Sequence, residues 1–400
     1  MSVLDHFLSF VAYDTRSDEN SESVPSTEKQ KILGAFLAQN LQKMGLKNAK
    51  MDDFGYVYGY LPPSNGVNLP DLGLIAHMDT SPDVSGKDVR PRIVTYNGGD
   101  IELGHGATIR EKEFPNLARY VGQDLIVTDG STLLGADDKA GVAEIFAAIE
   151  YLVAHPEVKH RGVAVCITPD EEIGRGADHF DFSLFPAKVA YTVDGGELGE
   201  IEYENFNGAG VKLTVHGVNI HPGSAKNKMK NAVLMANQFI SMLPAHETPS
   251  HTEGYEGFYH VNGIEGDESQ AVVHMIIRDH DRENFEARKQ FVTNLVDYLN
   301  GVWGEGSFEL DMKDSYYNMK EMILPHMELI DNAKAAMLAV GVEPQIIAIR
   351  GGTDGARLSY EGLPCPNLST GGANFHSIHE FIPVRSLEKM VEVLLELLKA

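Results

Sequence analysis

Cysteine is scarce: the 400 residues hold two, Cys166 inside an apolar stretch and Cys365 between prolines. That excludes a disulfide framework and fits a pair of reduced, structural thiols rather than a nucleophile. Also missing is any apolar run near the ~20 residues that a membrane span needs. Met1 to Tyr13 carries Asp5 and no basic segment or cleavage signal of a secretory leader, so a soluble, cytoplasmic protein is expected. Basic residues fall short as well, with Lys and Arg totalling 33 against 58 Asp and Glu, a formal net charge of -25. Such a balance repels phosphate backbones and anionic lipid, which argues against nucleic acid and membrane as partners.

What is present reads as an ordinary globular composition, 43% hydrophobic and 23% charged. The length exceeds what one core usually supports, so two domains are expected. A helix is predicted from Pro25-Ser26-Thr27-Glu28 through Ile32, Leu33, Phe36, Leu37, Leu41 and Met44 until Gly45 stops it. Gly55 to Leu61, Leu72 to Ala76, Gly162 to Thr168 and Lys188 to Val193 read as strands, and a helix follows Asp137-Asp138. Their alternation predicts an α/β fold with a mixed sheet flanked by helices. Arg92 to Val127 is polar and glycine-rich without long periodicity, and reads as an excursion from the core. After Asn207 the order becomes β-α-β-β-α-β, through Val211–Val215, Asn231–Met242, Phe258–Val261, Ala271–Ile277, Glu283–Trp303 and Phe308–Met312. That is a ferredoxin-like plan, so residues 208–313 are expected to form a domain inserted into one built from 1–207 and 314–400. Ile346–Ile349 and a closing helix, Ser386–Leu398, complete the first domain.

Residues suited to a divalent cation recur where predicted strands end. Ile167 to Gly174 reads I-T-P-D-E-E-I-G and crowds Asp170, Glu171 and Glu172 into one turn. His77-Met78-Asp79, Asp137-Asp138-Lys139, Asp194 and Phe375-His376 supply the other contributors. Imidazole with carboxylate, and no thiolate, suits zinc, cobalt or manganese at a hydrolytic site. Together they point to a two-metal centre.

Taken in order, H-M-D at 77–79, G-A-D-D-K-A-G at 135–141, P-D-E-E-I-G at 169–174, V-D-G-G at 193–196 and N-F-H-S-I-H-E at 374–380 resemble the M20 family of co-catalytic metallopeptidases over essentially the whole chain. The resemblance implies two Zn2+ per subunit, with Co2+ or Mn2+ as substitutes. Asp137 would bridge them, His77 and Asp194 would hold one, and Glu172 and His376 the other. Glu171 would be the general base, Asp79 would fix the His77 tautomer, and the Asp137–Asp138 peptide would be cis. In the inserted domain it implies His221, in the turn H-P-G-S, as oxyanion donor and Arg278 as the fork for a peptide carboxylate. The residues alone leave Arg278 open to a salt bridge with Asp279 or Asp281. Arg350, in R-G-G-T-D-G, lies in a glycine-rich turn that lacks the lysine and helix signature of a P-loop and is a candidate substrate contact. The activity implied is release of the N-terminal residue from tripeptides, by a homodimer joined through the inserted domain. Another M20-type amide hydrolase, a dipeptidase or an N-acyl amino acid deacylase, is the alternative. A metal-binding scaffold without catalysis is a third reading, opposed by Glu171 standing beside all five ligands.

Overall fold

A computed structural model describes residues 1–400. The chain divides into two compact units, one of Met1–Tyr203, Glu321–Ile347 and Thr353–Ala400, the other of Glu204–Lys320 with Ala348–Gly352.

The first unit is built on an eight-stranded mixed sheet. Its strands lie in the order Lys47–Met51, Val57–Leu61, Val163–Thr168, Leu72–His77, Ala190–Gly195, Asn367–Ser369, Glu200–Asn205 and Gln345–Ile349. The four from Val163–Thr168 to Asn367–Ser369 run parallel, whereas Val57–Leu61 and Glu200–Asn205 pair antiparallel on either side of them. Every residue of Leu72–His77 and Val163–Thr168 is buried, as continuous apolar runs require when a strand is covered on both faces. The helix Ala136–Ala154 lies on Leu72–His77 and Ala190–Gly195 and is itself covered by Val3–Val11 and Val384–Leu398. A cluster containing Ile75, Cys166, Phe180, Phe185, Leu358 and Cys365 packs elsewhere against the strands, so both cysteines are free and buried. The closing helix buries Leu387, Met390, Leu394 and Leu397 at helical spacing.

Two helix boundaries show why the local sequence decides. Lys29–Lys43 ends at Gly45, whose φ of 86° lets the chain turn back while Leu46 N–H donates to the Leu41 carbonyl. Val3–Val11, for which the sequence reading has no counterpart, starts in a reciprocal cap between Ser2 and Asp5.

Arg92 to Val127 differs from the expected excursion. Arg92–Thr95, Asp124–Val127 and Phe381–Pro383 form a three-stranded sheet, and Ile101–Gly104 pairs with Ala107–Ile109. Tyr96, Ile101, Ile109, Leu117, Leu125 and Phe381 share a small core there. Strands of three or four residues are too short to show a period.

The second unit carries a four-stranded antiparallel sheet in the order Phe258–Gly266, Gln270–Asp279, Asn207–His216, Phe308–Tyr316, with helices Ala232–Ser241 and Arg282–Trp303 packed on it. The order β-α-β-β-α-β is the ferredoxin-like one. Alternation selects the buried face: Ala209, Val211, Leu213 and Val215 on one central strand, Ala271, Val273, Met275 and Ile277 on the other. No helix in either unit is long and apolar enough to cross a membrane.

Candidate metal centre

In an open sheet with parallel strands, the crevice beyond the carboxyl ends collects residues from segments far apart in sequence. Here His77 is the last residue of Leu72–His77 and Asp194 the penultimate one of Ala190–Gly195. Glu171 and Glu172 lie in the turn after Val163–Thr168, and His376 in the loop after Asn367–Ser369. Asp137 comes from the start of Ala136–Ala154. Its φ of -84° and ψ of 106° are not helical, and its peptide bond to Asp138 is cis, as the sequence reading expects.

The seven residues His77, Asp79, Asp137, Glu171, Glu172, Asp194 and His376 come together. His77 Nε2 lies 3.0 Å from Asp137 Oδ1 and 3.3 Å from Asp194 Oδ1. His376 Nε2 lies 3.2 Å from Asp137 Oδ2 and 2.8 Å from Glu172 Oε2. Asp137 thus offers one oxygen to each of two triads, and within each triad the ligand atoms lie within 4.8 Å of one another.

Whether these groups suit cations is answered by what else they touch. Glu172 Oε1 is buried and has no hydrogen-bond partner, which leaves a lone pair suited to a metal. His77 Nδ1 faces the Asp79 backbone oxygen at 3.1 Å and its carboxylate at 3.2 Å. With the Nδ1–H donated there, the Nε2 lone pair turns toward two carboxylates, an arrangement that a cation between them satisfies. The donors are nitrogen and oxygen only, so the residues fit zinc, cobalt or manganese.

The electrostatics agree. Burial pushes Glu172 up to about 8, with Asp137 adding to it, and pushes Asp194 up to about 6. Hydrogen bonds to Asp137 and Glu172 push His376 up to about 11. Burial opposes ionisation of Asp137, but the hydrogen bonds of His376 and His77 outweigh it and hold its carboxyl below the usual range. Burial and the Asp194 charge raise Glu171 well above an ordinary glutamate. Positive charge at the centre is what these anions lack.

A model of a peptidase dimerisation domain, of the M20 class, matches residues 203–306. Over 400 residues the chain is 52% identical to peptidase T of Caldanaerobacter subterraneus, covering 99% of this chain and 98% of that one. The chain belongs to the peptidase T family. Its fold is also that of two solved structures. Aminopeptidase PepT from Bacillus cereus matches with a TM-score of 0.76 at 24% identity, covering 99% of this chain and 97% of that one. A tripeptidase from Staphylococcus aureus matches with a TM-score of 0.79 at 22% identity and the same coverage.

Asp79 and three further carboxylates of this peptidase T-family chain support the cluster. Asp79 accepts from the backbone N–H of Glu171 at 3.0 Å and of Glu172 at 3.2 Å, so it fixes the acidic turn as well as the His77 ring. Asp138 accepts from His77 N–H at 2.9 Å and Gly141 N–H at 3.2 Å. Asp170 accepts from Ser26 N–H, Ser26 Oγ and Gln30 Nε2, each at 2.6 Å. Glu380, which sequence alone could treat as a mere loop cap, is buried and accepts from Leu134, Gly135 and Asp137 N–H at 2.7, 2.8 and 3.1 Å. The sequence reading groups Asp138 and Asp170 with the residues suited to a cation but does not assign them these backbone-holding roles.

His221, Arg278 and Arg350 belong to the second unit. His221 is exposed, and its Nδ1 accepts from Gly223 N–H at 3.2 Å. Arg278 donates to the Ala209 and Ile277 carbonyls and lies over the Tyr316 ring at 5.1 Å. Its open alternative, a salt bridge to Asp279, is taken by Arg288, whose Nε lies 2.7 Å from Asp279. Arg350 donates to Gly254 O, Glu256 O and Thr252 Oγ1 and packs over the Phe206 and Phe258 rings.

Proposed function

We propose that the chain is a dinuclear metallo-aminopeptidase that removes the N-terminal residue from tripeptides, acting in the cytoplasm. The observation that carries this reading is the Asp137 carboxylate, which presents one oxygen to the His77–Asp194 pair and the other to the Glu172–His376 pair. The peptidase T relatives, the aminopeptidase and the tripeptidase that share the fold support the substrate class.

Two zinc ions, replaceable by cobalt or manganese, would supply Lewis acidity and bring the pKa of a water close to neutral. His77 and Asp194 would hold one, Glu172 and His376 the other, and Asp137 both. Glu171 accepts no hydrogen bond in its side chain, and its Oε2 lies 3.9 Å from His77 Nε2. Its raised pKa suits a base that takes a proton from the attacking water and passes it to the departing amine. Asp79 keeps the His77 tautomer and ties down the turn that carries Glu171. In the second unit His221 would donate to the developing oxyanion, Arg278 would bind the peptide carboxylate, and Arg350 would make a further substrate contact. A carboxylate clamp at fixed distance from the reacting carbonyl favours one peptide length. Residues 208–313 would serve as lid and dimer interface for a catalytic domain made of 1–207 and 314–400.

The test is a panel of di-, tri- and tetrapeptides beside acetylated amino acids, assayed with the zinc-loaded protein. Tripeptides should turn over fastest with release of the N-terminal residue; preference for dipeptides or acylated substrates would move the chain to another amide hydrolase. Glu171→Ala should lower kcat by about 10²- to 10⁴-fold, the scale of a general base, with metal content unchanged. Near-normal turnover of that variant would remove Glu171 from the mechanism.

A further inference from the structure

A peptide that loses its first residue carries a free ammonium group one carbon away from the carbonyl that is attacked. An acylated substrate has no charge at that position. With the carbonyl held at the metal centre, the ammonium comes to rest close to the ligands, and once it is stripped of water it needs acceptors, best a carboxylate. Every acid of the cluster described above is already committed: to protein donors, to a proposed cation or, for Glu171, to the attacking water. Asp354 is buried and accepts from Thr168 Oγ1 at 2.9 Å.

One acid beside the cluster is not committed. Asp83 Oδ2 lies 3.5 Å from His376 Nδ1, and its side chain is 65% exposed and receives no hydrogen bond from the protein. Asp79 shows what a carboxylate built to hold a ring looks like in this fold: it is fully buried, lies 3.2 Å from His77 Nδ1 and is anchored by two backbone N–H groups. Asp83 has neither the burial nor the anchors. Its backbone, however, is fixed. Asp83 N–H donates to Ser81 Oγ at 3.2 Å, and the Pro82 carbonyl takes the Arg16 guanidinium. Just before them, Thr80 N–H donates to the Thr15 carbonyl at 3.3 Å, and the Thr80 carbonyl accepts from Ser17 N–H at 3.1 Å. A fixed backbone with a free, charged side chain is preorganised to meet a ligand. Its position agrees. Among the proposed ligands only His376 is well exposed, at 43% against 17% or less for the others, so Asp83 stands on the side from which a peptide reaches the centre.

We propose that the Asp83 carboxylate receives the ammonium group of the peptide's first residue and thereby sets a preference for free over acylated amino termini. This role rests on the aminopeptidase reading above and supplies a contact that the metals, Glu171 and the second unit do not.

The experiment compares the zinc-loaded, full-length protein with Asp83→Asn and Asp83→Glu, using trialanine and its des-amino analogue propionyl-dialanine, with zinc affinity measured by chelator competition. Asp83→Asn should lower kcat/KM for trialanine about ten- to a hundredfold, the scale of a hydrogen bond between charged groups. The propionyl compound, which has nothing for Asp83 to hold, should lose little. Asp83→Glu should restore part of the loss, and zinc affinity should not change. Titration calorimetry with alanine hydroxamate and propionohydroxamate reads the same contact without turnover: the asparagine variant should weaken the first by a similar factor and spare the second. Were the unmodified protein to cleave neither peptide, the hydrolytic reading would fall, while the hydroxamate titration would still decide the ammonium site. Equal losses for both substrates together with weaker zinc binding would make Asp83 a support for the His376 ring, and an unchanged preference for the charged substrate and hydroxamate would place the ammonium elsewhere. Either result overturns the proposal.

Discussion

Glu380→Gln tests whether the loop that delivers Asp137 is held by charge. One carboxylate oxygen takes the N–H groups of Leu134 and Gly135 at 2.7 and 2.8 Å, and the other takes the Asp137 N–H at 3.1 Å. Glutamine can keep its oxygen on the first two. Its amide nitrogen then meets the Asp137 N–H, donor against donor, in a buried position. The loss is one hydrogen bond to a charged group, about 1.5–3 kcal/mol, together with a weakening of the other two, so a total of about 2–4 kcal/mol is expected. The backbone at issue sets the carboxylate proposed to bridge the metals, so zinc affinity should fall about ten- to a hundredfold, as when a ligand's supporting partner is removed. Urea denaturation gives the first quantity and competition with a chromophoric chelator the second. A glutamine variant with unchanged stability and unchanged zinc affinity would refute the claim that Glu380 organises the site.

Gly141→Ala should be among the most damaging small substitutions, because an added Cβ would stand 1.9 Å from the Val193 carbonyl and 2.5 Å from Asp138 Oδ1. Overpacking of this kind costs about 1–3 kcal/mol, and since Val193 precedes Asp194, urea unfolding and zinc titration should both register it; wild-type values in both would rule it out. Glu144 is fully buried with neither oxygen bonded, and burial alone raises its pKa well above 4.5. The folded state therefore binds a proton that the unfolded state releases, stability falls as pH rises from the unfolded value, and Glu144→Met should stabilise increasingly from pH 5 toward alkaline conditions. A constant difference between the two proteins in thermal melts across that range would contradict the assignment. Arg278→Lys keeps the charge but not the planar guanidinium, whose Nη1 now bonds the Ala209 and Ile277 carbonyls, so KM for tripeptides should rise about tenfold or more with kcat less affected. An unchanged KM would take Arg278 out of carboxylate binding.

The strands that carry the cluster were legible because they are buried on both faces and so read as unbroken apolar runs, Leu72–His77 and Val163–Thr168 above all. The ferredoxin-like order was legible for a different reason: its strands are nine or ten residues long and its helices ten and 22, enough for periods of two and 3.6 to appear. Asn367–Ser369 and Phe381–Pro383 were not, since three residues carry no period. At the site, motifs that follow strand ends could be picked out. Glu380 and Asp138 could not be given their roles, because what they accept from lies on backbone that only the fold brings near: Glu380 is more than 240 positions from its donors, and Asp138 is 61 from His77.

Hydrogen-bond accounting separates the acids of this cluster without reference to any motif. Both oxygens of Asp79, Asp138, Asp170 and Glu380 are occupied by N–H or hydroxyl donors from the protein. An oxygen so occupied has its best lone pair committed and is a poor ligand for a cation. Asp137, Glu172 and Asp194 receive nothing from the backbone; histidine rings face all three, Asp137 and Asp194 also face each other, and Glu171 faces His77 Nε2 at 3.9 Å without a bond. Burying anions without donors is unfavourable unless cations join them. The acids left over by this count are the three proposed as ligands and the one proposed as base.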